Sequence, residues 1–275
     1  MKFGILGPLL MEGADRASVP RAPKQRQLLA LLLLNANEVV STDACIEELW
    51  DERPPRSARS TLQTYVLLLR RALRRATPHP NTGVARQKLE TRERGYLLNV
   101  DTGELDLDEF ECRVLSGRAA LARGDDAEAS AQLRAALGMW RGEPLADIFA
   151  GPILRAHLVR LEEHRFDIRE ECVEADLRLG RHHELLSELR GLVARHPANE
   201  NLAAQMMLAL YRSGRQAQAL ETFADLRRVL DEELGLEPSP RMRLLHQAVL
   251  TYDARLDPPV SAAVPLSLDL ADALR

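Results

Sequence analysis

Apolar positions recur along this chain at helical spacing, broken near the N-terminus by shorter stretches that alternate. The run KQRQLLALLLLN (24–35) is strongly apolar, and its Leu28, Leu29, Leu32 and Leu33 belong to a core. Ser41 follows as the cap of a second helix with Asp43 in its first turn and Ile46, Leu49 and Trp50 as the buried face. In Arg53–Arg75, two prolines and a capping Ser57 precede Leu62, Val66, Leu69 and Leu73, the stripe of a third helix. Before these helices, KFGILGPLLME (2–12) reads as short strands broken by Gly4, Gly7 and Pro8, and ASVPRA (17–22) as a further returning strand. After them, VARQKLETRERGYLLNV (84–100) reads as two strands with Glu93, Arg94 and Gly95 at the turn. Strands, three helices and a hairpin in that order predict a winged helix-turn-helix.

From Asp106 to about Tyr252 the pattern is helical throughout. Gly124, Gly180 and Gly214 stand in similar settings, LARGDDAEAS, LRLGRHHELL and YRSGRQAQAL. The second spacing is the 34-residue period of tetratricopeptide repeats, whereas WRGEPLADI (140–148) lies in an insert that lengthens the first. Each unit is expected to be a helix pair with glycine in the turn, and residues such as Ala217 and Leu220 packing the next helix. The fold class is therefore mainly α with a small β part: a winged helix followed by a tetratricopeptide-like all-α repeat domain. The expected domains are 1–100, 101–252 and a C-terminal tail, 253–275. In the tail, LSLDLADAL (266–274) can form a short helix after Pro258 and Pro259. A generic helical bundle is the alternative for the rear domain.

Charge sharpens this division. The formal net charge is −4, yet residues 1–100 carry six more basic than acidic residues and 101–275 ten more acidic than basic. The positive charge gathers in 53–75, which holds seven arginines and no acid, and in 86–94. A basic front and acidic rear suit a nucleic-acid-binding domain joined to one that contacts another partner. Only Lys2, Lys24 and Lys88 of the 37 basic residues are lysines, a bias of codon usage. Cys45, Cys112 and Cys172 have no metal-ligand spacing and fit a reducing cytosol. No basic-then-apolar leader opens the chain, and its longest apolar run, Leu28–Leu34, is too short to span a bilayer, so a cytoplasmic, nucleoid-associated protein is expected.

The face of the third helix opposite its apolar stripe carries Ser60, Thr64, Leu67 and Arg71, flanked by Gln63, Arg74 and Arg75. Hydroxyls and an amide can read base edges, while arginines, with Arg56 and Arg59 near the helix start, hold phosphates. The hairpin can bring Arg92 or Arg94 to the minor groove or backbone. A solvated arginine face on an ordinary helix is the plain alternative for the helix alone. Catalytic signatures are missing: the sequence has no phosphate-binding GxxxxGK loop, GxSxG elbow or HExxH motif. His157 with His164, and His182 with His183, lack carboxylates at ligand spacing. No enzyme activity, cofactor or metal is expected.

Several long segments resemble the Streptomyces antibiotic regulatory protein family. In front these are FGILGPL (3–9), PKQRQLLALLLLNANEVVS (23–41), ELW (48–50), PPRSARSTLQTYV (54–66), LRRAL (69–73) and RGYLL (94–98). In the rear, WRGEPLAD (140–147) and LRRVLDEELGLEPSPRMRLLHQAVL (226–250) are similar to its bacterial transcriptional activator domain. The resemblance implies an OmpR/PhoB-type winged helix, activation of antibiotic gene clusters, binding to direct repeats near promoters by tandem protomers, and recruitment of RNA polymerase holoenzyme. It also implies that the loop between the second and third helices, with Asp51, Glu52 and Arg53, contacts the polymerase; an exposed acidic turn without that role is the plain alternative. The chain departs from the family at Leu67 and Leu68, where many relatives carry polar or basic residues; Leu67 can meet a thymine methyl, weaken binding or turn inward. The expected function is a sequence-specific activator that binds double-stranded DNA and no membrane. A repressor on the same fold and a helical-repeat adaptor are the alternatives. Residues 1–100 hold every base-reading element, and are expected to bind DNA alone but more weakly than the whole.

Overall fold

The computed structural model describes residues 1–13, 19–76 and 88–257. The elements begin with β1 (Lys2–Gly4) and β2 (Leu10–Glu12), an antiparallel pair, then α1 (Pro23–Leu34). Next come β3 (Val39–Ser41), α2 (Thr42–Trp50), α3 (Ala58–Ala76), β4 (Leu89–Arg92) and β5 (Gly95–Leu98). The remainder is helical: α4 (Asp106–Ala122), α5 (Asp126–Leu137), α6 (Pro152–Arg178), α7 (His182–Arg195), α8 (Glu200–Arg212), α9 (Gln216–Val229) and α10 (Pro240–Leu250). A single π-helical turn, Leu230–Leu234, leads out of α9.

Local chemistry accounts for these bounds. Pro23 sits in the first turn of α1, where its missing N–H costs nothing. Ser41 caps α2 as expected, its hydroxyl accepting from Ala44 N at 3.0 Å. Asn199 and Ser239 cap α8 and α10 in the same way. The hairpin turn is narrower than expected: Glu93 and Arg94 form it, and Gly95 already belongs to β5. A side chain at Gly95 would collide with the Val40 carbonyl. That close approach exists because β3, a strand absent from the sequence-based expectation, pairs with β5 through Val40 and Tyr96, giving a three-stranded sheet ordered β3-β5-β4. Three residues are too short for the alternation by which strands are recognised. Residues 19–22 carry no strand, and 17 and 18, like 84–87, lie outside the described residues.

Contacts divide the chain into two compact units. The first comprises 1–115 and 134–168. One core joins Leu28, Leu32, Leu62, Val66, Leu69 and Leu73 with Leu145 and Leu154. Polar bonds reinforce this association. The Asp106 carboxylate accepts from Ile5 N and Leu6 N, at 2.8 and 3.2 Å, and pairs with Arg141 at 2.9 Å. Asp147 accepts from Leu9 N at 2.8 Å and pairs with Arg26. Glu48 of α2, only 1% exposed, accepts from Gly151 N (2.6 Å), Ile153 N (3.0 Å) and Leu154 N (2.9 Å) at the start of α6, and from the Gln27 amide (2.7 Å). These N–H groups are the orphan donors of a helix N-terminus, satisfied by a distant carboxylate. The expected boundary at residue 100 thus falls inside this unit. The WRGEPLAD segment belongs to it too, with Arg165 over the Trp140 ring at 4.4 Å.

The second unit comprises 116–133 and 169–275, described to residue 257. Its main core joins Leu185, Leu189, Met207, Leu210, Ala219, Phe223, Leu226 and Val249. The recurring glycines share one conformation, with φ of 74° at Gly124, 75° at Gly180 and 71° at Gly214. In each turn the following residue donates back across it: Asp125 N to Ala120 O, Arg181 N to Asp176 O, and Arg215 N to Leu210 O. That is the Schellman closure, in which glycine bears the left-handed position without strain. Ala217, expected to pack, is exposed; Ala219 and Phe223 supply the buried face of α9, and Leu220 is half-buried.

Candidate nucleic-acid interface

The winged helix presents one long basic face. Helix α3 buries Ala58, Leu62, Val66, Leu69, Leu73 and Ala76. Its other side leaves Arg59, Ser60, Gln63, Thr64, Leu67, Arg71, Arg74 and Arg75 exposed, with Arg56 exposed just before it. Arg74 and Arg75 lie in the last turn, where cations complement the helix dipole. Leu67 is 44% exposed, so it has not turned inward. Leu68 is half-buried.

The hydroxyls on this face already have donors committed. Ser60 Oγ donates to Ser57 O at 2.9 Å and Thr64 Oγ1 to Ser60 O at 3.1 Å. What they offer outward is lone pairs, which suit the exocyclic amino groups of adenine or cytosine. Gln63 keeps both an amide donor and a carbonyl acceptor. The arginines are lightly held. Arg59 meets Asp43 at 3.5 Å, with both side chains more than three-quarters exposed, a pairing that a phosphate readily displaces. Arg56, Arg71, Arg74 and Arg75 form no ion pair among the described residues.

Two contacts fix the orientation of α3. Trp50 of α2 stacks on Tyr65, with ring centroids 6.2 Å apart. Arg70 donates from Nε to Leu89 O at 2.9 Å and from Nη2 to Thr91 Oγ1 at 2.7 Å, tying α3 to β4 of the wing. Sequence reasoning gave Arg70 no role. The available signal was its place on the apolar stripe, four residues after Val66. On the wing, Arg92 and Arg94 are exposed, and Arg92 is paired with Glu90 at 2.6 Å.

Asp51, Glu52 and Arg53 are all exposed between α2 and α3. Asp51 has φ 55° and ψ −137°, and Arg53 N donates to Trp50 O at 3.2 Å. This is a type II′ turn with aspartate where glycine is favoured. Burial pushes the Cys45 thiol up to about 12, leaving it inert inside α2. Among the described residues no cluster of three or more His, Cys, Asp or Glu can hold a metal ion, and no helix is long and apolar enough to cross a membrane.

A winged helix with an exposed basic recognition helix, followed by helix pairs, defines a class of DNA-binding transcriptional regulators. Residues 16–98 match the family described as transcriptional regulatory protein, C terminal, and residues 105–250 match the bacterial transcriptional activator domain. The chain is similar to the regulatory protein DnrI of Streptomyces peucetius, with 45% identity over 98% of this chain and 100% of that protein. It is 36% identical to the regulatory protein AfsR of Streptomyces griseus over 99% of this chain, but spans only 27% of that longer protein. Among solved structures, Mycobacterium tuberculosis EmbR in complex with a low-affinity phosphopeptide superposes with a TM-score of 0.83 at 33% identity, covering 99% of this chain and 69% of that one. The chain belongs to the Streptomyces antibiotic regulatory protein family, and is a DNA-binding transcriptional activator of that family.

Proposed function

We propose that the chain switches on an antibiotic biosynthetic gene cluster by binding direct repeats beside its promoters and recruiting RNA polymerase. The supporting observation is that every α3 and wing residue chosen for DNA contact is exposed, while the apolar stripe of α3 is buried. In this reading Gln63, Ser60, Thr64 and Leu67 meet base edges. Arg56, Arg59, Arg71, Arg74 and Arg75 hold phosphates, and Arg92 and Arg94 hold the neighbouring backbone or minor groove. Two protomers on half-sites about one helical turn (~10.5 bp) apart share one face of the duplex. Asp51, Glu52 and Arg53 then face the polymerase holoenzyme. The protein acts in the cytoplasm at the nucleoid, and no catalytic step is required of it.

Footprinting and in vitro transcription test this together. Arg71→Ala and Arg74→Ala are expected to weaken binding to all sequences and flatten its salt dependence. Gln63→Ala or Thr64→Ala is expected to relax selection at particular bases, at roughly 1–3 kcal/mol per lost contact. Charge reversal at Asp51 and Glu52 is expected to lower transcription with the footprint intact. A selected site unchanged by Gln63 and Thr64 substitutions would overturn the groove assignment.

A further inference from the structure

The second unit contains a groove of about 340 Å³ whose apolar lining includes Leu177, Leu208, Leu245 and Leu256. Two polar side chains among its walls are incompletely matched. Gln205, 8% exposed, donates to Glu170 O at 3.1 Å, yet its Oε1 has no hydrogen-bond partner among the described residues. Arg212 is half-buried and, among the described residues, bonds only to carbonyls: Leu177 O at 2.7 Å, Leu256 O at 2.7 Å and Asp257 O at 3.4 Å. Burial pulls its guanidinium down from the ordinary arginine range, and the nearby Asp257 charge offsets this only in part. A desolvated cation without a bonded carboxylate favours an anionic ligand. Arg178, at the same groove, is already neutralised by Glu174 and Asp126. The groove therefore fits a segment with leucines along one side, a carboxylate at its edge and spare hydrogen-bond donors.

This chain carries such a segment. On a helix, Leu266, Leu270 and Leu274 share one stripe with Asp269 beside it, and Ser267 supplies a hydroxyl donor. The described chain ends at the groove: Leu256 lines it, and the Asp257 carbonyl is bonded to Arg212. Residues 258–265 reach at most roughly 25–29 Å when extended, enough for the segment to fold back. A tether that short holds its ligand at an effective concentration of about millimolar. We propose that the groove is a binding site for an acidic, leucine-striped helix, and that its occupant is residues 266–274 of the same chain.

Hydrogen–deuterium exchange on the full chain tests this. Amides of 266–274 are expected to exchange at least about tenfold more slowly than unstructured peptide. Leu270→Asp in the tail and Leu208→Asp in the groove are each expected to remove that protection, and Asp269→Asn to reduce it. Far-UV circular dichroism checks that the Leu208 variant remains folded; the two tail variants test the proposal even where it does not. Absence of protection, or protection that survives the tail substitutions, would overturn the proposal. Protection that grows with protein concentration alongside a doubled mass would also overturn it, assigning the groove to the tail of a second copy.

Discussion

Asp51 carries backbone strain at a position proposed to face the polymerase. A non-glycine residue at φ 55°, ψ −137° costs about 1 kcal/mol or more. Asp51→Gly is therefore expected to raise the urea midpoint, a gain of about 1 kcal/mol, while lowering polymerase-dependent transcription from a footprinted promoter. If transcription stayed unchanged, the carboxylate would have no part in activation. His182 acts through protonation. Burial first, then His183 and Arg212, lower its pKa. A histidine depressed in the folded state binds fewer protons there than when unfolded, so its contribution is complete above about pH 6.5 and is lost as pH falls through the folded value. Urea midpoints are expected to be level above that pH and to decline below it, with a shallower decline in His182→Gln. An equally steep decline in the variant would assign the acid sensitivity to other groups.

At the scale of elements, what was legible depended on the range of the interaction. Helices α1, α2 and α3 could be read because their stripes, caps and prolines are local signals, as could the repeat glycines. Strand β3 could not: its pairing with Gly95–Leu97 is set by residues more than fifty positions away. The exposed face of α3 was legible as the complement of its stripe. Arg70, which ties that face to the wing, was hidden among arginines with solvent-facing side chains. Arg70→Ala is expected to cost roughly 1–2 kcal/mol of stability through the bonds to Leu89 and Thr91. It is also expected to weaken DNA binding uniformly, by loosening the wing, without changing the selected bases. A shift in base preference measured by site selection would mean that Arg70 itself reads the groove.

At the scale of the whole molecule, the compact unit that carries α3 and the wing is larger than the hairpin-terminated motif. The family match ends at residue 98, yet the carboxylates that satisfy Ile5, Leu6 and Leu9 come from Asp106 and Asp147, and Glu48 is satisfied by the backbone of 151–154. No local pattern announces a buried glutamate capping a helix that starts about a hundred residues later, so the expectation of a self-sufficient 1–100 domain had no means of including it. Cut at residue 100, the chain leaves the Glu48 carboxylate without the backbone donors of 151–154, and the core without Leu145 and Leu154. Losing buried leucines of this kind costs about 2–5 kcal/mol each, a large share of a small domain's stability. A fragment of residues 1–168 is expected to fold cooperatively and bind the promoter. Residues 1–100 are expected to show a much lower urea midpoint and weak, poorly saturating binding in a gel shift. Because the two fragments share the same α3 and wing, a difference between them can arise only from the support beneath the recognition helix. Equal midpoints and affinities would make residues 101–168 dispensable for DNA binding. Glu48→Ala in the full chain then separates the effects of length and capping: it is expected to reproduce most of the loss without removing any of the chain.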